Sequence, residues 1–333
     1  MKKVLVVGST GAMGRYLVPY FVNKGYKVTA LALDDQKPYN ENVTCIKGNA
    51  KDKEFLAKVL EEKFDGIVDF MCYGNHDFPD FYKMYLDNTS HYIFLSSCRV
   101  YDDKEHPITE NSPRLLDSSD DEVLKQSNDY CIYKAHAENL LRASNYNNWT
   151  IVRPATTFST MRLQLVTLEL VNAVGRALKG KKVVVPIQAK DKPATLSWAG
   201  DVVKMIGGLL FNEKAKRETY NVCSSEWRTW AEIAEYYHKL VGLEAVWVDK
   251  EDYLEILSPG IPLNVRWQLE YARMFSRITD NSKVLEATGL KQEEFKTMYD
   301  GLAYEISNIP KDYVFPDTEV GKRMDEYLAK HNL

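Results

Sequence analysis

A parallel, doubly wound α/β sheet with a smaller, interleaved second lobe is the architecture that the 333-residue sequence predicts, and three observations carry it. The chain opens on an apolar run, Val4-Leu-Val-Val7, that ends in a glycine-rich turn, Gly8-Ser-Thr-Gly11-Ala-Met-Gly14. Apolar strands then alternate with helical stretches as far as residue 152. A tyrosine and a lysine, Tyr130 and Lys134, share one face of a helix that follows the fifth strand. Alternation at this pace favours helices on both faces of a parallel sheet, whose ligands sit beyond the carboxyl ends of the strands.

The elements follow in order. Val4 to Val7 is continuous and rich in β-branched residues, the pattern of a strand covered on both faces. Met13, Leu17, Val18, Phe21 and Val22 come next at helical spacing and stop near Gly25. The pattern then predicts strands at 28–33 and 44–47, a helix at 54–63, a strand at 66–71, a helix at 78–85 and a strand at 92–95. A helix over about 129–143 and a strand at 150–152 complete this half. After Pro154 the rhythm changes: apolar spacing predicts a helix over 163–178, then the basic turn Lys179-Gly-Lys-Lys182 and a strand at 183–186. A helix from Asp201, a strand at 220–222 and a helix at 230–241 follow. From Trp247 onward aromatics, charges and prolines suggest a less regular lobe.

Composition narrows the partners. A formal net charge of −4 gives no general attraction to phosphate backbones, so nucleic acid is not expected. The aromatic-rich stretch of Trp227, Trp230, Tyr236, Tyr237 and Trp247 has no basic clusters beside it and reads as core packing, not a base-stacking surface. Five scattered cysteines suit neither a zinc site nor a disulfide framework and read as the reduced thiols of a cytoplasmic protein. The amino-terminal apolar run is too short for a signal peptide, and no segment approaches the roughly 20 apolar residues of a membrane-spanning helix. No membrane partner and no metal site are expected.

The glycines at 8, 11 and 14 are spaced to turn tightly, approach a pyrophosphate and pack a helix on the strand. Thr10, Ala12 and Met13 complete the turn, at a helix amino terminus that offers free N–H groups. The acid that binds the adenosine ribose belongs near the end of the second strand, where Asp34 stands slightly late and without an adjacent arginine for a 2′-phosphate. That favours NAD, with NADP the alternative. Residues 1–160, with a later contribution from about 194–222, are expected to form the dinucleotide-binding domain, and 161–333 mainly a substrate lobe.

Tyr130 and Lys134 have the spacing of a proton-relay pair: an ammonium near a phenol favours the phenolate, which then takes a hydroxyl proton as hydride leaves the same carbon. Ser97, at the end of Ile93-Phe-Leu-Ser-Ser97, is placed to orient the substrate oxygen. Cys98 beside it is a candidate for facing the substrate, although a lone cysteine at a strand end is more often a small buried residue. His76 is the one histidine expected near the cleft.

With these residues in place the chain resembles an extended short-chain dehydrogenase/reductase of the nucleotide-sugar epimerase and dehydratase group. The resemblance runs through the glycine turn, Gly48-Asn-Ala-Lys-Asp52, Ser96-Ser-Cys-Arg-Val-Tyr101, Tyr130-x-x-x-Lys134, Arg153-Pro154 and Thr279-Asp-Asn-Ser-Lys283. It implies a Rossmann-type fold, a nucleotide-sugar substrate, a homodimer, Ser97, Tyr130 and Lys134 as catalytic residues, and C4 epimerisation by transient oxidation. Net carbonyl reduction or alcohol oxidation is the alternative. By the same resemblance Asn49 and Ala50 approach the adenine, Phe70 and Met71 the cofactor, Pro154 the nicotinamide end, and Thr157 and Arg277 the substrate.

The chain also departs from that pattern. Phe70-Met-Cys-Tyr73 replaces a small-residue pair, Asn49 replaces an aspartate, and Cys98 and Arg99 stand where sugar dehydratases carry an acid pair, which disfavours dehydration. The stretch Pro193-Ala-Thr-Leu-Ser-Trp198 lacks the usual arginine for the substrate diphosphate, leaving Arg162, Arg266, Arg273 or Arg277 as substitutes. The stretches at 48–52 and 148–154 are also similar to a plastid branch of the family associated with RNA binding, which gives a second alternative.

Overall fold

The computed structural model describes residues 1–75 and 77–333, so His76 lies outside the described residues. The chain divides into two compact units, one of 1–157, 199–225 and 279–295, the other of 158–198, 226–278 and 296–333.

The first unit is built on β1 (Lys3–Val7), α1 (Gly14–Asn23), β2 (Lys27–Ala32), β3 (Val43–Lys47), α2 (Lys53–Leu60), β4 (Phe64–Asp69), α3 (Phe78–Leu86) and β5 (Thr89–Leu95). It continues with α4 (Tyr130–Ala143), β6 (Trp149–Arg153), α5 (Ala199–Leu209), β7 (Thr219–Asn221) and α6 (Ser282–Thr288). The strands form one seven-stranded sheet in the order β7-β6-β5-β4-β1-β2-β3, and every pairing is parallel. The order reverses beside β1, the position at which such sheets open a crevice for ligands.

The strands are uniformly apolar because both faces are covered. Val4 and Val6 pack into one core with Leu17 and Phe21 of α1 and with Val202 and Ile206 of α5. Leu5 and Val7 face the opposite core, with Leu56 of α2, Tyr85 of α3 and Tyr133 of α4. Successive strand residues point to opposite faces, so a run that is apolar throughout buries both sets.

The second unit has its own core around Val183, Val185, Trp230, Tyr237, Tyr253 and Leu302. Its helix at Trp230–Val241 starts at a capping box between Thr229 and Glu232 and ends at Gly242, whose φ of 71° closes the helix. Trp230 and Tyr237 are buried as expected, whereas Trp227 is exposed. The helix expected over 163–178 is absent except for a 3₁₀ turn at Leu170–Asn172 and the short helix Val174–Leu178. Residues 159–168 instead make two tight turns, with bridges Ser159–Arg162 and Leu165–Leu168 and positive φ at Met161 and Val166. Leu163, Leu165, Val166, Leu168 and Leu170 are all buried, so their apolar spacing marks a strip enclosed on every side. The strained Val166 turn is held from outside: Arg273 donates from Nε to the Val166 carbonyl at 2.9 Å. None of the described helices is long and apolar enough to cross a membrane.

One buried network fixes α4 against the sheet. Glu138 accepts from Ser96 Oγ at 2.5 Å, from Arg153 Nε at 2.8 Å and from Arg114 Nη1 at 3.1 Å. Arg153 also donates to Tyr101 Oη at 2.8 Å, and Tyr101 in turn to Asn221 Oδ1 at 2.6 Å. Residues from β5's end, β6, β7 and α4 are thereby tied together. Burial alone would raise the Glu138 carboxyl, yet Arg153, Ser96 and Arg114 outweigh it and bring it down from 4.5 to about 2.

Breaking this pair leaves Arg153 buried without a counter-charge. Glu138→Gln is expected to lose about 3–5 kcal/mol in urea unfolding. Because the folded carboxyl lies below its unfolded value, the pair stabilises above pH 4.5 and is lost as pH falls towards about 2. The variant's stability should lack that acid limb.

Candidate active site

The glycine turn leaves β1 with Gly8 at a φ of 83°, a conformation only glycine adopts without strain. The N–H groups of Gly8 and Ser9 both donate to the Leu31 carbonyl, at 2.8 and 3.1 Å, which pins the turn to β2. A Cβ on Gly14 would fall on the carbonyl oxygens of Gly8 and Ser9, so α1 begins as close to the turn as backbone allows. Among the described residues no backbone carbonyl accepts from the N–H groups of Ala12 and Met13. These donors, with the first turn of α1, suit a pyrophosphate, and the residues present fit a dinucleotide.

Its surroundings are partly occupied by local bonds. Thr10 Oγ1 donates to Asp34 Oδ2 at 2.7 Å, and Arg15 Nη2 donates to the Thr10 carbonyl at 3.2 Å. Asp34 is therefore held on the turn, and an arginine that sequence spacing did not single out stands in the same turn. Phe70 packs against Gly8, at 3.2 Å from where a Gly8 side chain would begin. Asn49 is exposed and its Oδ1 accepts from Lys51 N–H at 3.0 Å, while Ala50 is buried.

Beyond the ends of β4 and β5 the structure brings Ser97, Tyr130 and Lys134 together. Ser97 Oγ accepts from Arg99 N–H at 3.2 Å and is hydrogen-bonded to the Tyr130 phenol. Asp129 Oδ1 caps α4 by accepting from Cys131 N–H at 3.1 Å, which makes Tyr130 the first helical residue. One turn on, Lys134 is 1% exposed and its Nζ donates to the carbonyls of Leu95 at 2.6 Å and Met71 at 3.2 Å. The same Nζ lies 5.6 Å from the centre of the Tyr130 ring.

The charges in this pocket are poised against one another. Burial pushes the Lys134 ammonium down from 10.5 to about 8, against the opposing pull of Cys72, Asp69 and Glu138. Burial likewise raises the Tyr130 phenol to about 12, aided by Cys72 and opposed by Arg99 and the Ser97 hydrogen bond. Asp69, at the end of β4, is fully buried and raised by burial to about 6. Its oxygens accept from Met71 N–H at 2.9 Å and Tyr92 Oη at 2.7 Å, so it grips the residue whose carbonyl holds Lys134. Sequence pattern does not single out Asp69 or the Arg99–Asp129 pair; an acid before Tyr130, in a helix-cap position, is the available signal.

The remaining candidates take more local roles. Cys98 is buried, with its N–H on the Pro154 carbonyl at 3.0 Å. Thr157 donates to the Ala155 carbonyl at 3.0 Å. In the second unit, Arg277 is buried and donates from Nη2 to the Tyr271 carbonyl at 3.1 Å. Arg266 is paired with Glu251 and Glu270, Arg273 holds the Val166 turn, and Arg162 is exposed. No group of three His, Cys, Asp or Glu among the described residues could hold a metal ion.

Residues 8–167 match a family model described as NAD(P)H-binding, so this part of the chain is an NAD(P)H-binding domain. In fold the chain is similar to an epimerase from Methanothermobacter thermautotrophicus, with a TM-score of 0.70 and 15% identity over 99% of this chain and 94% of that one. It is similar to the dTDP-glucose 4,6-dehydratase of Bacillus anthracis in complex with NAD (TM-score 0.68, 18% identity, 92% and 96% covered). It is similar too to the UDP-glucuronic acid 4-epimerase of Bacillus cereus in complex with UDP-glucuronic acid and NAD (0.67, 16%, 93% and 100%). The Rossmann-type fold is thus that of nucleotide-sugar epimerases and dehydratases. By sequence the chain is 24% identical, over 256 residues, to a chloroplast stem-loop binding protein of 41 kDa from Arabidopsis thaliana. The match covers 72% of this chain and spans 64% of that relative's length.

Two measurements follow from the geometry. Gly14→Ala forces the turn off α1 and is expected to lower the melting temperature and abolish NAD binding measured by calorimetry. The Lys134 ammonium, followed by NMR of labelled lysine side chains, should lose its proton near pH 8, well below exposed lysines.

Proposed function

We propose that this protein is an NAD-dependent epimerase acting on a nucleotide-linked sugar, and that it inverts C4 through a transient ketone. The observation that carries the reading is the Ser97–Tyr130 hydrogen bond beside buried Lys134, in the same unit as the glycine turn. A nicotinamide dinucleotide bound at that turn supplies the hydride acceptor and, for inversion, the hydride donor. Gly8, Thr10, Gly11, Ala12, Met13 and Gly14 would hold its pyrophosphate, Asp34 its adenosine ribose, Asn49 and Ala50 its adenine, Phe70 and Met71 the cofactor along β4, and Pro154 its nicotinamide end.

The chain's own residues then handle the proton. Tyr130 as phenolate takes the sugar hydroxyl proton when the carbon is oxidised, and returns it when the ketone is reduced. Ser97 orients the same oxygen, and its hydrogen bond to Tyr130 favours the phenolate. Lys134 places a positive charge next to the phenolate, and its bonds to Leu95 and Met71 hold that charge in place. Cys98 and Arg99 leave no acid beside Ser97 to protonate a leaving hydroxyl, which favours epimerisation over dehydration.

A net carbonyl reductase would use the same residues and release its cofactor each cycle. The likeness to the stem-loop binding protein supports one further reading, RNA binding without redox chemistry. The Tyr130/Lys134 pair and the acidic net charge favour the enzyme.

Purified protein given a panel of UDP- and dTDP-sugars is expected to interconvert one C4-epimeric pair with no steady change in NADH absorbance. Tyr130→Phe should cut that turnover by about 10²–10⁴-fold while NAD still binds. Full turnover by the phenylalanine variant would refute the mechanism. Salt-sensitive RNA binding with no affinity for NAD would refute the enzyme reading.

A further inference from the structure

Two cations stand at almost the same distance from the Tyr130 ring. Lys134 Nζ is 5.6 Å from its centre and the Arg99 guanidinium carbon 5.5 Å. They are held in different ways. Lys134 is fixed by main-chain carbonyls at two strand ends. Arg99 belongs to the short 3₁₀ turn Cys98–Val100 that Ser97 caps, and its Nη2 bonds Asp129 Oδ1 at 3.1 Å. Its Nε–H is buried and has no hydrogen-bond partner among the described residues. Arg99 therefore touches both ends of the proton relay, Ser97 through its backbone N–H and Tyr130 through its side chain.

We propose that Arg99 is a positioning residue of the catalytic site: a second cation, anchored by Asp129, that stabilises the Tyr130 phenolate together with Lys134. The proposal rests on the reading of Tyr130 as the proton-transfer group.

The two cations are not redundant. An arginine side chain keeps its charge at any pH a protein survives. Lys134, pushed down to about 8 chiefly by burial, gives up its charge in the range where a phenolate is needed. Above that pH the guanidinium is the cation that remains beside the ring. The phenol's other neighbours do not replace it. Burial is the largest influence on Tyr130 and opposes ionisation, as do Cys72 from the chain after β4 and Cys98 from the 3₁₀ turn. Arg99 and the Ser97 hydrogen bond favour it. Tyr133 packs edge-on against the Tyr130 ring from the same helix, and Asp129 faces Arg99 from the helix cap. A unit charge at this distance, in a medium of effective dielectric about 20 and partly offset by Asp129, is expected to change the phenol's acidity by about tenfold or more.

The test replaces Tyr130 with 3,5-difluorotyrosine, whose phenol is more acidic, and follows its ionisation by fluorine NMR in the full-length protein. Arg99→Met is expected to raise the midpoint by about one pH unit or more, and Arg99→Lys to restore it wherever the new lysine is charged. Asp129→Asn should move the midpoint the opposite way, downwards, because asparagine still caps α4 but no longer offsets the guanidinium. Should Arg99→Met fail to fold, the Asp129→Asn shift decides. A midpoint unchanged or lowered in Arg99→Met, or unchanged or raised in Asp129→Asn, overturns the proposal. No turnover is needed, so a failed epimerase assay would count against the functional reading and leave this titration intact.

Discussion

The burial of the Lys134 ammonium is the constraint on which the site depends. An ammonium removed from water is costly unless its donors find acceptors and its charge finds a counter-field. Here the acceptors are the carbonyls of Leu95 and Met71, at the ends of two adjacent strands, and the buried carboxyls of Asp69 and Glu138 supply the counter-field. Satisfying one side chain therefore fixes the spacing of β4, β5 and α4. Ser97 lies two residues beyond one of those carbonyls and Tyr130 one helical turn before the lysine, so both inherit their places from it.

The next turn of the same face of α4 is held by charge as well. Glu138 is one turn after Lys134, and its bonds to Ser96 and Arg153 reach β5 and β6. A helix clamped at both positions cannot rotate to relieve the buried ammonium. The shifted groups follow from that rigidity: Lys134 is lowered, Tyr130 and Asp69 are raised, and each shift begins with burial. Titratable groups pushed apart within one small volume are the condition for moving a proton between them.

The glycine turn is a separate device joined to the same sheet. Its donors belong to the turn after β1, next to β4 in the sheet, so the two devices open on one crevice. Many activities share this fold, and the features that distinguish this chain lie in side chains around a common scaffold. On the proposed reading, these are Arg99 and Cys98 beside Ser97 and the Phe70-Met-Cys-Tyr73 stretch after β4.

Much of the first unit was legible because local pattern and tertiary environment agree there. An apolar run before a glycine turn has one economical solution, and the four-residue spacing of Tyr130 and Lys134 places them on one helical face whatever surrounds them. The stretch at 163–178 misled because buried leucines spaced for a helix are also buried in a compact turn, and periodicity cannot report enclosure on every side. Nor does local sequence signal that 279–295 joins the first unit. The sequence by itself determined the strand alternation, the phosphate turn and the identities of Ser97, Tyr130 and Lys134. Tertiary structure alone decided that Asp69 interacts with the charge of Lys134 and that Arg99 faces Tyr130, because those meetings join residues from different strand ends and a helix, and their energies arise only once burial removes the water between them.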